Sequence, residues 1–219
     1  MRRALLVVCV FFIFQQITGI NVPLYYGPHV LGPLFQGSNS LVDKTISGVE
    51  VTLMLTAVNV AATCWIDRKG RRPLAIGGYI GMALAAILAA AGLTYFTGTA
   101  RIVVVMIGLA AFIASFAIGV GGTGWLLQGE VFPTEVRGRA ASTGATVDWL
   151  ANFALVEVFP IWQTGIGLGW VLVCFAALCV MAIAFVYRFV PETKNRSVEE
   201  ITEIFEHEAR TGETAAATT

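Results

Sequence analysis

Apolar residues gather in six stretches along the chain, at about residues 4–35, 46–66, 74–96, 102–127, 140–161 and 166–190. Each reaches the roughly 20 residues that an α-helix needs to cross the hydrocarbon core of a bilayer. Between the second and third stands Asp67-Arg68-Lys69-Gly70-Arg71-Arg72-Pro73. A connection this short and this basic turns the chain back at the cytoplasmic face of a membrane. The pattern predicts an all-α membrane protein of six transmembrane helices over residues 1–190. Residues 191–219 form a cytoplasmic tail, in which Ser197-Val198-Glu199-Glu200 offers a capping box for a short amphipathic helix, and the Ala- and Thr-rich end from Arg210 reads as disordered.

Composition agrees: 57% of the 219 residues are hydrophobic and 13% charged, against about 25% charged in a soluble domain. The net charge of +0 hides an asymmetry. With the N-terminus inside, the inner segments hold 12 of the 14 Lys and Arg, and the outer loops only Lys44 and Arg101. Positive charge on the inner loops places both termini in the cytoplasm of a multi-pass cell-membrane protein, and a balanced charge argues against nucleic acid as a partner. Cys9, Cys64, Cys174 and Cys179 all fall in apolar runs, as small hydrophobes rather than a disulfide framework or metal site. Met1-Arg2-Arg3 opens like a signal peptide, but the apolar run continues past it without a small-residue cleavage site, so it reads as a first span.

Several spans are more than lipid anchors. The first carries Gln15, Gln16, Thr18, Gly19, Asn21, Pro23 and Gly27, beginning about 15 Å into the bilayer at 1.5 Å per residue. Amides at that depth either satisfy a kinked backbone and neighbouring helices or line a wet cavity. Gly77 and Gly81 form a small-xxx-small step suited to close helix packing. Gly119, Gly121 and Gly124 spell a Gly-x-Gly-x-x-Gly pattern, but inside an apolar span it follows no strand and marks no dinucleotide site. No metal-spaced histidines, nucleophile–base set or phosphate loop is present, and His29 and His207 stand apart, so neither an enzyme nor a cofactor is expected.

Gln15-Gln16-Ile17-Thr18-Gly19-Ile20-Asn21 with Tyr25-Tyr26-Gly27-Pro28 resembles the seventh transmembrane helix of the sugar porter family of the major facilitator superfamily. The Asp67–Pro73 loop resembles that family's connection between helices eight and nine. Glu130-Val131-Phe132-Pro133-Thr134-Glu135-Val136-Arg137-Gly138 resembles its loop between helices ten and eleven, and Pro191-Glu192-Thr193-Lys194 its motif after helix twelve. The four motifs occur in family order. The resemblance implies half of a twelve-helix fold, in which Gln15, Gln16 and Asn21 bind sugar hydroxyls. Amides suit this because each offers both donor and acceptor. It places Trp125 against the sugar ring, although the helix-ten proline is missing from Gly121-Gly122-Thr123-Gly124-Trp125. Asp148, Trp149 and Asn152 complete the implied substrate set on helix eleven, with Asp148 where the family usually has an amide, about 12 Å into its helix. That carboxyl either accepts hydrogen bonds from sugar, titrates with transport or stands in, protonated, for the amide. Tyr25, Tyr26 and Gly121 are the implied gating residues, the tyrosines alternatively belonging to the interfacial belt.

The helix-eight asparagine of the family is replaced by Leu55, with Asn59 one turn away. Asp67, Arg68, Arg71, Arg72, Glu130, Arg137 and Glu192 are expected to form a cytoplasmic charge network that biases alternating access, beside the topology-setting role of the basic residues. The resemblance covers only the C-terminal half of such a transporter. The chain is therefore expected to be a fragment, to take a separate N-terminal half-bundle as partner, or to pair with itself, in that order. Without a covering half, the polar pocket residues would face lipid. The expected function is transport of a sugar or polyol of the hexose, pentose or inositol class; a truncated sugar sensor or regulator of a full-length transporter is the alternative.

Overall fold

The computed structural model describes residues 2–31, 49, 56, 70–194, 200 and 201. The expected span at 46–66, Asn59, Asp67, Arg68 and most of the tail helix lie outside the described residues. Among the described residues, seven α-helices are long enough to name: α1 (Arg2–Ile17), α2 (Asn21–Leu31), α3 (Arg71–Tyr95), α4 (Gly98–Phe116), α5 (Thr123–Val131), α6 (Thr134–Ile166) and α7 (Leu168–Phe189), with a π-helical segment, Ala117–Gly121, joining α4 to α5. Among the described residues, five runs are apolar and long enough to cross a membrane: Arg2–Tyr26, Arg71–Tyr95, Gly98–Val131, Thr134–Ile166 and Leu168–Phe189.

The boundaries follow from local chemistry. Pro133 holds Phe132 extended, at φ −107° and ψ 131°, which ends α5. The next helix then starts at Thr134, ahead of the apolar residues, so its first turns carry Arg137 and Arg139. Gly167, at φ +80°, supplies the left-handed turn between α6 and α7.

Small residues set how closely the helices approach. α3 packs along α4 on one side and α7 on the other, while α1 lies against α6. A Cβ on Gly78 would stand 2.7 Å from the Cα of Gly119, and one on Gly108 would stand 2.8 Å from the backbone nitrogen of Ala89. Without a hydrophobic force between helices in lipid, such close backbone contact is a main source of association. The expected small-residue step is thus shifted: Gly81 meets Ser115, but the crossing is made by Gly78, and a Cβ on Gly77 would meet nothing within 4 Å. The π-helical segment puts Gly119 at this crossing.

The packed interior has two apolar clusters. One surrounds Phe11, Phe12, Tyr79, Met82 and Phe112, and the other Val22, Leu109, Phe159, Leu172 and Phe175. Between them lie the buried polar side chains that define the candidate site.

Candidate functional site

The break between α1 and α2 and the long helix α6 bring a set of amides together. α1 ends at Ile17, and the turn Thr18–Ile20 follows. Gly19 there takes φ +96°, and a Cβ would stand 2.6 Å from the Phe175 ring, so the turn requires glycine. Thr18 Oγ1 donates to the Phe14 carbonyl at 2.9 Å, and the Gly19 amide donates to the Gln16 carbonyl at 3.0 Å, which satisfies groups freed where α1 stops. Pro23 falls within the first turn of α2, where its missing N–H costs no helical bond. The break turns Asn21 back toward Gln16.

From there a continuous chain of hydrogen bonds runs into α6. Asn21 Nδ2 donates to Gln16 Oε1 at 2.6 Å and to Asn152 Oδ1 at 2.8 Å, and Gln16 Nε2 donates to Asp148 Oδ1 at 2.7 Å. Asp148 and Asn152 share one face of α6 because they are one turn apart. Gln16, Asp148 and Asn152 are all buried. Of the groups expected to face outward until another half covers them, Gln15, Gln16 and Asp148 are instead buried within this chain, whereas Trp125 stays exposed. Asp148 also stands further along its helix than expected. Because α6 begins at Thr134 and runs 33 residues, Asp148 stands near its midpoint, roughly 21 Å from its start.

Gln15 serves a different contact. Its Nε2 donates to the carbonyl of Gly121 at 3.3 Å, at the end of the π-helical segment, where the bonding register shifts. Its Oε1 is buried without a hydrogen-bond partner among the described residues and lies over Gly124, where a Cβ would come within 2.7 Å of it. Gln128, not singled out from the sequence, repeats this arrangement one turn past Trp125: its buried Oε1 lies over Gly144, with 2.8 Å to a Cβ there. An amide in an apolar run was the signal that could have found it. Both oxygens occupy space that only glycine leaves open.

Trp125 packs on Phe12, with ring centroids 5.0 Å apart, and keeps 42% of its surface exposed. Trp149 does not join the amide chain. One residue past Asp148, it is turned about 100° around α6, and 62% of its surface is exposed. Tyr25 is exposed. Tyr26 instead stacks on Phe159 at 4.9 Å, and its hydroxyl donates to the Val156 carbonyl at 2.9 Å.

The basic residues and acids cluster where α3 begins. Glu192 accepts from the backbone amides of Arg71 at 3.0 Å and Arg72 at 3.2 Å, placing a carboxylate on the positive end of α3. Gly70, at φ +86°, leaves the room this needs, since a Cβ would stand 2.6 Å from the carboxylate. The Arg71 guanidinium bonds Glu130 Oε1 through Nη2 at 2.7 Å and Nε at 3.1 Å. Thr193 donates to the other Glu130 oxygen at 2.6 Å. That hydroxyl was missed from the sequence, although it stands within the quoted motif beside Glu192. Arg72 lies over the Tyr187 ring, 5.0 Å from its centroid, and donates to the Tyr187 carbonyl. Arg137 donates to the Phe132 carbonyl at 3.0 Å and so braces the corner at Pro133; among the described residues it joins no carboxylate.

Comparison with known proteins fits this arrangement. A family model described as "Sugar (and other) transporter" matches residues 1–205. The D-xylose-proton symporter of Escherichia coli (strain K12) is 33% identical over 204 residues, covering 90% of this chain and 40% of its own length. The arabinose-proton symporter of Bacillus subtilis (strain 168) is 32% identical over 206 residues, covering 94% and 43%. Among solved structures, a double-tryptophan mutant of XylE aligns with a TM-score of 0.83 at 30% identity, over 94% of this chain and 43% of that one. The major facilitator proton:xylose symporter XylE bound to 6-bromo-6-deoxy-D-glucose aligns at 0.80 and 30% identity, over 92% and 42%. The chain thus spans less than half the length of these relatives.

Proposed function

The chain belongs to the sugar (and other) transporter family, and from that premise we propose that it forms the C-terminal half of a transporter that moves a sugar or polyol across the cell membrane by alternating access. The observation that carries this reading is the buried amide chain Asn152–Asn21–Gln16–Asp148 at mid-span. A polyhydroxyl substrate must exchange its hydration for an equal density of donors and acceptors, and amides supply both from one side chain. Among the described residues, Asn21 Oδ1, Asn152 Nδ2 and Asp148 Oδ2 take no part in these bonds and are the atoms offered to hydroxyls. Trp125 supplies the half-exposed aromatic face on which the apolar side of a sugar ring packs. Gln15 positions the π-helical segment through Gly121 and so couples the site to the break in the Gly98–Val131 span.

The Arg71–Glu130–Thr193 and Glu192 contacts, at the end we assign to the cytoplasm, join three separated stretches of sequence. Contacts of this kind shift a two-state equilibrium only if one state breaks them. In the proposed cycle they hold the outward-facing state and part in the inward-facing one. A second six-helix half, on the same chain or a separate one, completes the pathway.

The test is uptake of labelled hexoses, pentoses and inositol into vesicles containing the chain together with an N-terminal half of the same family. Saturable uptake of one class, lost on Gln16→Ala, supports the proposal. Uptake that is absent for every class, or unchanged in Gln16→Ala, refutes it.

A further inference from the structure

At the far end of the bundle from Glu192, a cleft of about 620 Å³ opens between the C-terminal turns of α3, the first turn of α4 and the α6–α7 turn. It is separate from the amide chain and shares no residue with it. Its walls change character with depth. Arg101, Gln163, Tyr95 and Trp170 line its end near the α6–α7 turn, whereas Ile87, itself 46% exposed, and Ala90 line the end toward mid-span. Ile87 lies eight residues before Tyr95 on α3, roughly 12 Å deeper. Tyr95 and Trp170 are 81% and 66% exposed, and such amphipathic rings favour the level of lipid head groups.

The cleft is also lined by a cation. Arg101 is partly buried, and its Nε is enclosed without a hydrogen-bond partner among the described residues. A buried guanidinium nitrogen left unpaired is costly, and its planar fork matches phosphate oxygens. We propose that this cleft binds an anionic glycerophospholipid, its phosphodiester on Arg101 and one acyl chain along Ile87 and Ala90. A soluble anion would satisfy the guanidinium but leave the apolar depth empty. A neutral hydrocarbon would fill the depth and leave the guanidinium unpaired.

Trp170 borders the cleft and reports on it. The chain is placed in nanodiscs containing either brominated phosphatidylglycerol or brominated phosphatidylcholine, and the emission lost in Trp170→Phe identifies that residue's share of the fluorescence. Phosphatidylglycerol is expected to quench this share more strongly than phosphatidylcholine. Arg101→Gln should abolish the preference while leaving quenching by phosphatidylcholine unchanged, and Arg101→Lys should retain it. Inorganic phosphate added to the phosphatidylglycerol discs should have no effect. Equal quenching by the two lipids in the unaltered chain, a preference that survives Arg101→Gln, or its removal by inorganic phosphate each overturns the proposal.

Discussion

The hydroxyl of Tyr26 donates at 2.9 Å to the carbonyl of Val156, whose helical donor is removed by Pro160 four residues on. Proline has no N–H, so an interior proline orphans the carbonyl one turn back. In a bilayer no water replaces it, and neighbouring side chains must. Tyr26 therefore joins α2 to the half of α6 that contains Pro160, with its ring on Phe159 strengthening the contact.

That relationship is testable by a double-mutant cycle. Tyr26→Phe alone should destabilise the chain by about 1–2 kcal/mol, because the Val156 carbonyl loses its partner. In a Pro160→Ala background, residue 160 regains an N–H for Val156, and the same Tyr26→Phe change should cost little. Unfolding of the four variants in mixed micelles measures the coupling; additive effects would show that the hydroxyl does not compensate for the proline.

Adjacent glycines on α3 should behave oppositely. Gly78 faces the Gly119 backbone and Gly77 faces nothing within 4 Å. Gly78→Ala should force α3 and α4 apart and lower stability by about 1–3 kcal/mol. Gly77→Ala should stay within about 0.5 kcal/mol of the parent. Thermal unfolding in detergent distinguishes them, and equal losses would contradict the crossing geometry.

The contrast between those glycines shows where sequence reading stops. Long apolar spans, the breaking residues near Gly19 and the four motifs were legible because each is a local pattern. The family followed from the motifs. Which helix face meets a partner was not legible, since one residue moves a side chain about 100°. Hence the packing step was placed on Gly77 and Gly81, of which Gly81 meets Ser115 while Gly77 meets nothing within 4 Å. Hydropathy alone also misplaced the start of α6. Its first turns carry Arg137 and Arg139 yet are helical, which puts Asp148 further along its helix than a count from Ala140 gives. Bonds such as Asn21 to Asn152, 131 residues apart in sequence, require the fold.

At the other end of α3, Glu192 and Gly70 act as one unit. Glu192→Ala removes the acceptor for the amides of Arg71 and Arg72 and should lower stability by about 1–2 kcal/mol, as loss of a helix cap does. Gly70→Ala should be at least as damaging, because it both adds a Cβ against that carboxylate and strains a positive φ. Combining them should give less than the sum, since each already disrupts the same contact. Full additivity in thermal unfolding would separate the two residues.

Asp148 offers the sharpest test of what the mid-span site requires. Among the described residues its one side-chain bond is an accepted one, from Gln16 Nε2, and an asparagine oxygen can accept it equally well. Asp148→Asn should therefore preserve folding and keep substrate affinity within about tenfold, which corresponds to about 1.4 kcal/mol. Asp148→Leu leaves Gln16 with a buried, unpaired donor and should weaken binding by about 1–3 kcal/mol. The measurement is sugar affinity in the chain assembled with an N-terminal half. If Asp148→Asn loses binding as completely as Asp148→Leu, the carboxylate's charge, and not its acceptor geometry, is what the site uses.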